Sequence, residues 1–323
     1  MNRQSSYDSL WRKRLDALNA VWPEFLAGHA EALHRARVAS RRIREALPVV
    51  AACAPPEKVK KLGRKMRDLT RYLGPIRELD VELGVLDKKT AREGALLPAL
   101  TLMRGEVASR RHALRDRLED EQPVADVKKL IKKLERVAEE GGQGARKRAK
   151  QPKSDHQHAW RAALAARLLR RAKGLKAALE DVGPLYAPER LHDVRIATKK
   201  LRYALEIAQD AGNAEAKVLV KTLKREQARL GRLHDLQALM RHVREAEMSS
   251  RAGSRLADLT AYADSLEREC RQLHAQFVEH RDKLFECVTE VRRELIPALT
   301  MTTRQQARVA SSGRLPLRAA KKA

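Results

Sequence analysis

The fourteen residues from His34 to Leu47, HRARVASRRIREAL, return 158 positions later, from His192 to Leu205, as HDVRIATKKLRYAL. Six positions are identical, and five more exchange like for like: Val38 with Ile196, Ser40 with Thr198, Arg41 and Arg42 with Lys199 and Lys200, and Ile43 with Leu201. A repeat of this length predicts two related halves. Neither copy contains Pro or Gly, and the apolar spacing of both is helical. At about 100° per residue, His34, Arg37, Arg41 and Arg44 fall within about 80° of arc, opposite Ala36, Ala39, Ile43 and Leu47. The second copy sets His192, Arg195, Lys199 and Arg202 against Val194, Ala197, Leu201 and Leu205.

Each ridge stacks cations along roughly 15 Å of helix, where like charges one turn apart repel. Most such runs are solvated helix faces. A solvated face has no reason to hold His, then Arg three residues on, then two bases and another Arg at the same offsets twice. Something anionic gives that reason, with Arg42 and Lys200 as further contacts. The ridges are expected to carry their charge uncompensated.

The rest of the chain reads as helices separated by Pro and Gly signals. The first runs from about Ser6 to Val21, with Leu10, Trp11, Leu15 and Leu18 as core, and breaks near Pro23. The first repeat helix extends from about 24 or 28 to Cys53, bent or shortened at Pro48. After Pro55-Pro56, the stretch EKVKKLGRKMRDLTRYL places Lys60, Arg64, Arg67 and Arg71 opposite Leu62, Met66, Leu69 and Leu73. Gly74-Pro75 interrupts this helix, which continues to about Lys89. Further helices are expected at about 98–121, 124–139, 157–182 and 188–209. After Gly212-Asn213, Lys217, Lys221 and Lys224 echo the second ridge, opposite Leu219, Leu223 and Leu230. A last helix spans about 255–295. The Gly-rich, basic segment 141–155 is the expected linker between half one (about 5–140) and half two (about 156–300). The tail 302–323 carries six basic and no acidic residues and is expected to be disordered.

With a net charge of +26 and a pI near 10.4, the chain calls for a polyanionic partner: nucleic acid, an anionic membrane or a phosphate polymer. Three Phe, three Trp and five Tyr are too few for base stacking, which favours an anion without bases. The three cysteines, Cys53, Cys270 and Cys287, show no metal or disulfide spacing and read as core residues of a reduced compartment. No signal peptide or membrane span is apparent, so a cytoplasmic protein is expected, with association to granules of a phosphate polymer left open.

The pattern His-x-x-Arg-x-x-x-basic-basic-x-Arg, present twice, resembles the CHAD family, the conserved-histidine α-helical domain. A second family feature follows each copy: LGPIRELDV at 73–81 and LGRLHDL at 230–236, with Glu78 where the family usually has Asp and His234 where it usually has Arg. The resemblance covers roughly residues 5–297. It implies an all-α fold of two antiparallel bundles of about four helices each, related by a pseudo-twofold, with a basic central cavity that binds inorganic polyphosphate.

The histidines read as hydrogen-bond donors to phosphate rather than metal ligands, because one His per cationic helix is a poor site for a divalent ion. His192-Asp193 and His234-Asp235 have the residue types of metal phosphohydrolase ligands, but neighbours on a helix point about 100° apart. No GxxxxGK[ST], HExxH or GxSxG motif occurs. No metal, cofactor or catalytic residue is therefore expected. Glu78, Asp80 and Asp235 are expected to orient ridge arginines. The expected function is non-catalytic polyphosphate binding, with a metal-dependent phosphohydrolase acting on polyphosphate or triphosphates, or a nonspecific nucleic-acid-binding protein, as alternatives.

Overall fold

The computed structural model describes residues 4–52, 54–90, 97–121, 127–148, 154–248 and 255–301. Every regular element among them is helical: α1 (Gln4–Leu26), α2 (Ala30–Val50), α3 (Pro56–Tyr72), α4 (Gly74–Thr90), α5 (Leu97–Glu121), α6 (Val127–Arg148), α7 (Ser154–Asp181), α8 (Pro188–Asp210), α9 (Ala214–Glu247) and α10 (Leu256–Glu290). A π-helical turn, Val291–Leu295, leads into the short α11 (Ile296–Thr300). The all-α expectation holds. No helix among the described residues is long and apolar enough to cross a membrane.

The boundaries follow local chemistry. Pro55-Pro56 and Pro188 open α3 and α8, where a missing N–H costs nothing. Asn213 caps α9 by accepting from the Ala216 N–H at 2.7 Å. Pro23 does not end α1, which runs to Leu26; the turn comes at Gly28, whose φ of +92° is open to glycine at little cost. Pro48 likewise sits inside α2. The largest departure is α6, whose helical backbone continues to Arg148, into the stretch expected as linker. Its glycines each weaken a helix by about 1 kcal/mol without forbidding it. Cys53 and the tail 302–323 lie outside the described residues.

The apolar stripes of both repeats are buried as their spacing predicts. Ala36, Ile43, Leu47, Val194, Leu201 and Leu205 are all within 1% of full burial, and removing a side chain the size of Ile43 from water is worth about 1.5–3 kcal/mol. The cores do not part along the two halves of the chain. The larger one joins α1, α2, α3 and α6 to α7, α8, the first part of α9 and the end of α10. The smaller joins α4 and α5 to the later part of α9 and the start of α10. Ion pairs cross between the halves in both regions: Arg14 to Asp210 at 2.9 Å, Arg42 to Glu206 at 2.9 Å and Lys89 to Glu269 at 3.1 Å.

Candidate anion-binding site

The two repeat helices lie against one another, α2 on α8, and this contact brings the two ridges together. Arg37 is fixed first. Its Nη1 donates to the carbonyls of Leu73 at 3.2 Å and Gly74 at 2.5 Å, at the junction where α3 stops and α4 begins. The break itself comes from Pro75, which has no N–H to continue the ladder. One turn on, Ser40 bonds Thr70 of α3 at 3.0 Å and locks α2 against it. The repeat motif and the LGP motif are thus two parts of one device that holds a guanidinium.

The second half lacks that device. Arg232 stands where Pro75 stands in the first half, α9 runs unbroken through the position, and its carbonyls stay in the helix. Arg195, the counterpart of Arg37, keeps a buried Nε with no hydrogen-bond partner among the described residues, and Thr198, the counterpart of Ser40, has a hydroxyl likewise unpartnered among them.

Charge accumulates around these side chains. Burial and the charge of Arg41, with further repulsion from Arg77 and Arg195, bring the Arg37 guanidinium down to about 10. Burial and the charges of Arg195, Arg41 and Arg37 pull the Lys199 ammonium down to about 6, against a partial offset from Asp235. Beside Lys199, His192 and His234 face each other with Nδ1 atoms 3.2 Å apart. Burial, then Arg195 and His192, hold His234 at about 3. His34 is more exposed; partial desolvation and Arg77 lower it. Groups held this far from their preferred charge state mark a place where a counter-charge would be stabilising.

A second concentration of cations lies farther along the same helices. Arg44 feels Arg41, Arg67 and Arg171, and Lys200 feels Arg171 and Arg44. Here Glu45 and Asp193 offset part of the charge on Lys200. Glu45 accepts paired bonds of 2.7–2.8 Å from both Arg167 and Arg171 of α7. Burial raises the Glu45 carboxyl, but these bonds and charges together outweigh it and leave its pKa lowered.

The predicted site residues therefore divide. His34, Arg37, Arg41, His192, Arg195 and Lys199 share one electrostatic neighbourhood, with Arg44, Arg67 and Lys200 adjoining it. Arg42 and Arg202 depart from the uncompensated ridge expected of them. Arg42 donates to Glu206 at 2.9 Å, while Arg202 is buried between Glu206 and Gln227. The sequence carried the signal, since Glu206 follows Arg202 at i+4. On α3, Lys60 and Arg71 make exposed pairs with Glu57 and Asp68, and Arg64 is exposed. Lys217, Lys221 and Lys224 are exposed on α9. Asp80 orients Arg111 of α5, at 2.6 Å, rather than a ridge arginine. Arg77, Arg171, His234 and Arg241 join the neighbourhood without having been singled out as ligands. Arg77 and His234 occupy corresponding places in the two LG motifs; nothing in α7 or in the later part of α9 marks Arg171 or Arg241.

A chain whose described residues are all-helical, with a duplicated cationic helix and a clasp on the first copy, is what the fold and site define. The family model described as the CHAD domain matches residues 9–244, and the chain belongs to that family. Its fold is similar to the crystal structure of the CHAD domain from the plant Ricinus communis, at 24% identity and a TM-score of 0.55, over 90% of this chain and 91% of that one. PptA from Streptomyces chartreusis aligns at 16% identity and a TM-score of 0.45, over 90% and 99% of the two chains. Among curated proteins none matches the chain.

Proposed function

We propose that the protein binds inorganic polyphosphate without turning it over, in the cytoplasm, through the cations that α2 and α8 bring together. The observation that carries this reading is the sharing of positive charge between the two copies: Arg37 and Arg41 of α2 lower Lys199 of α8, and Arg195 of α8 lowers Arg37. A linear phosphate polymer supplies oxygens to several of these groups at once, and a half-buried guanidinium gains more from such a partner than an exposed one. Membership of a family associated with polyphosphate supports the choice of anion. Arg42 and Arg202 act in this account as scaffolding, through Glu206.

The discriminating experiment is competition between long-chain polyphosphate and duplex DNA at physiological salt. The expected result is that polyphosphate displaces DNA and DNA fails to displace polyphosphate. Truncation at residue 301 is expected to weaken DNA binding at low salt more than polyphosphate binding; equal losses would make the tail the site. Release of phosphate that needs magnesium and vanishes in a His34→Ala or His192→Ala variant would replace this reading with the phosphohydrolase one.

A further inference from the structure

Because the chain is a duplication, its two half-sites can be compared position by position. His34 corresponds to His192, Arg37 to Arg195 and Arg41 to Lys199; in the following motif Arg77 corresponds to His234 and Glu78 to Asp235. In the first half, His34 lies in the field of Arg77. In the second, the same juxtaposition is made by His192 and His234, with ring centroids 4.7 Å apart and Nδ1 atoms 3.2 Å apart. The differences at 41/199 and 77/234 have one chemical sense. A guanidinium, charged at every accessible pH, gives way to an amine and an imidazole that can lose a proton.

The geometry points to a proton-linked half-site: His192, His234 and Lys199 take up protons as the polyanion binds, so that pH sets affinity chiefly through the second half, while Arg41 and Arg77 of the first half stay charged throughout and leave it only His34 to titrate. This inference rests on the polyphosphate reading above.

The histidine pair shows why protons and anion are coupled. A contact between two Nδ1 atoms is a hydrogen bond only when one carries the proton and the other presents its lone pair. If both are protonated, two N–H groups face each other, so the closed pair holds a single proton between its Nδ1 atoms. A phosphate oxygen that accepts from one ring opens the pair and favours a proton on the other. Lys199 behaves alike, since a phosphate among Arg37, Arg41 and Arg195 would offset the repulsion that disfavours its ammonium. The charged groups acting on this trio are Asp193 and Arg195 on α8, Arg37 and Arg41 on α2, and Asp235 and Arg241 on α9; Arg77 and Glu78 on α4 act in turn on Arg37. Burial raises Asp235 against the pull of Arg195 and Lys199, so even the nearest carboxylate is not fully available as a counter-charge. The low values of Lys199 and His234 in the free protein agree with protons being absent until the anion arrives.

The test is calorimetric titration of the full chain with long-chain polyphosphate between about pH 6 and about pH 8, in two buffers of different ionisation enthalpy. Linkage predicts a loss of affinity of up to about tenfold per pH unit for each proton taken up, with the buffer dependence reporting net uptake. Lys199→Arg combined with His234→Arg rebuilds the first half's chemistry in the second, and should reduce the uptake to what His34 and His192 contribute, with a correspondingly shallower loss of affinity across the range. His234→Gln, a smaller change, should reduce uptake with the melting temperature maintained. Constant affinity without uptake in the natural sequence would overturn the inference, as would a double variant with undiminished uptake, because the protons would then come from elsewhere, including the polymer's own ends. Absence of binding at every pH would instead bring down the polyphosphate reading itself, so the two failures are distinguishable.

Discussion

Glu45 shows how much one side chain can decide in so basic a protein. It is 6% exposed and holds two guanidiniums that are themselves 13% and 19% exposed. Glu45→Gln leaves two partly buried cations without a counter-charge, a change expected to cost about 3–5 kcal/mol in denaturant unfolding. Its lowered pKa means that the stabilisation is present above the unfolded carboxyl value and is lost as pH falls through the folded one. The acid limb of the stability curve should therefore flatten in the variant. Lys199 has the opposite sign. In the folded protein its ammonium sits at about 6 rather than its ordinary 10.5, so the penalty is full below pH 6 and disappears above the unfolded value. Lys199→Met should raise the melting temperature near pH 6, lose that gain by about pH 10, and bind polyphosphate more weakly. A melting temperature lowered at pH 6 would contradict the charge cluster.

At the scale of elements, the faces of the two repeat helices were legible because a period of 3.6 residues needs no partner to be read: His34 to Leu47 shows its buried and polar sides unaided. Helix breaks at Gly74-Pro75 and Gly212-Asn213 were equally plain, since Pro and Gly act on their own backbone. What remained hidden depended on a second element. Arg202 and Arg44 occupy the same position in the two copies, yet Gln227 and Glu206 claim only the former. The choice between 24 and 28 as the start of the first repeat helix was open for a similar reason. At Gly28 a Cβ would meet the Arg115 guanidinium at 2.1 Å, and Arg115 also donates to the Gly28 carbonyl at 3.1 Å. Gly28→Ala is expected to cost about 1–3 kcal/mol in urea unfolding, through backbone strain and a displaced Arg115. Gly212 has a similar φ of +89° with open space around it, so Gly212→Ala should cost less. Equal costs would show that strain alone matters at both turns.

For the whole molecule, the duplication was legible in the sequence but the way the halves share their cores was not, because a periodicity states which face is buried and never against what. Leu86 of α4 and Tyr262 of α10 belong to one buried cluster despite their distance in the chain. Cleavage within residues 149–153 should accordingly leave fragments that copurify and melt in a single transition; separate transitions would contradict the shared cores. The same sharing is what the proposed function depends on. If α2 and α8 form one site, a long polyanion engages both, and the second contact is made at high effective concentration. Titration calorimetry with long-chain polyphosphate, on Arg37→Glu/Arg41→Glu and on Arg195→Glu/Lys199→Glu, tests this directly. The account predicts similar large losses of affinity in both variants at unchanged stoichiometry, with the salt dependence of log affinity flattened by about 0.7 for each lost contact. Unchanged affinity at half the stoichiometry in either variant would contradict it and establish two independent sites.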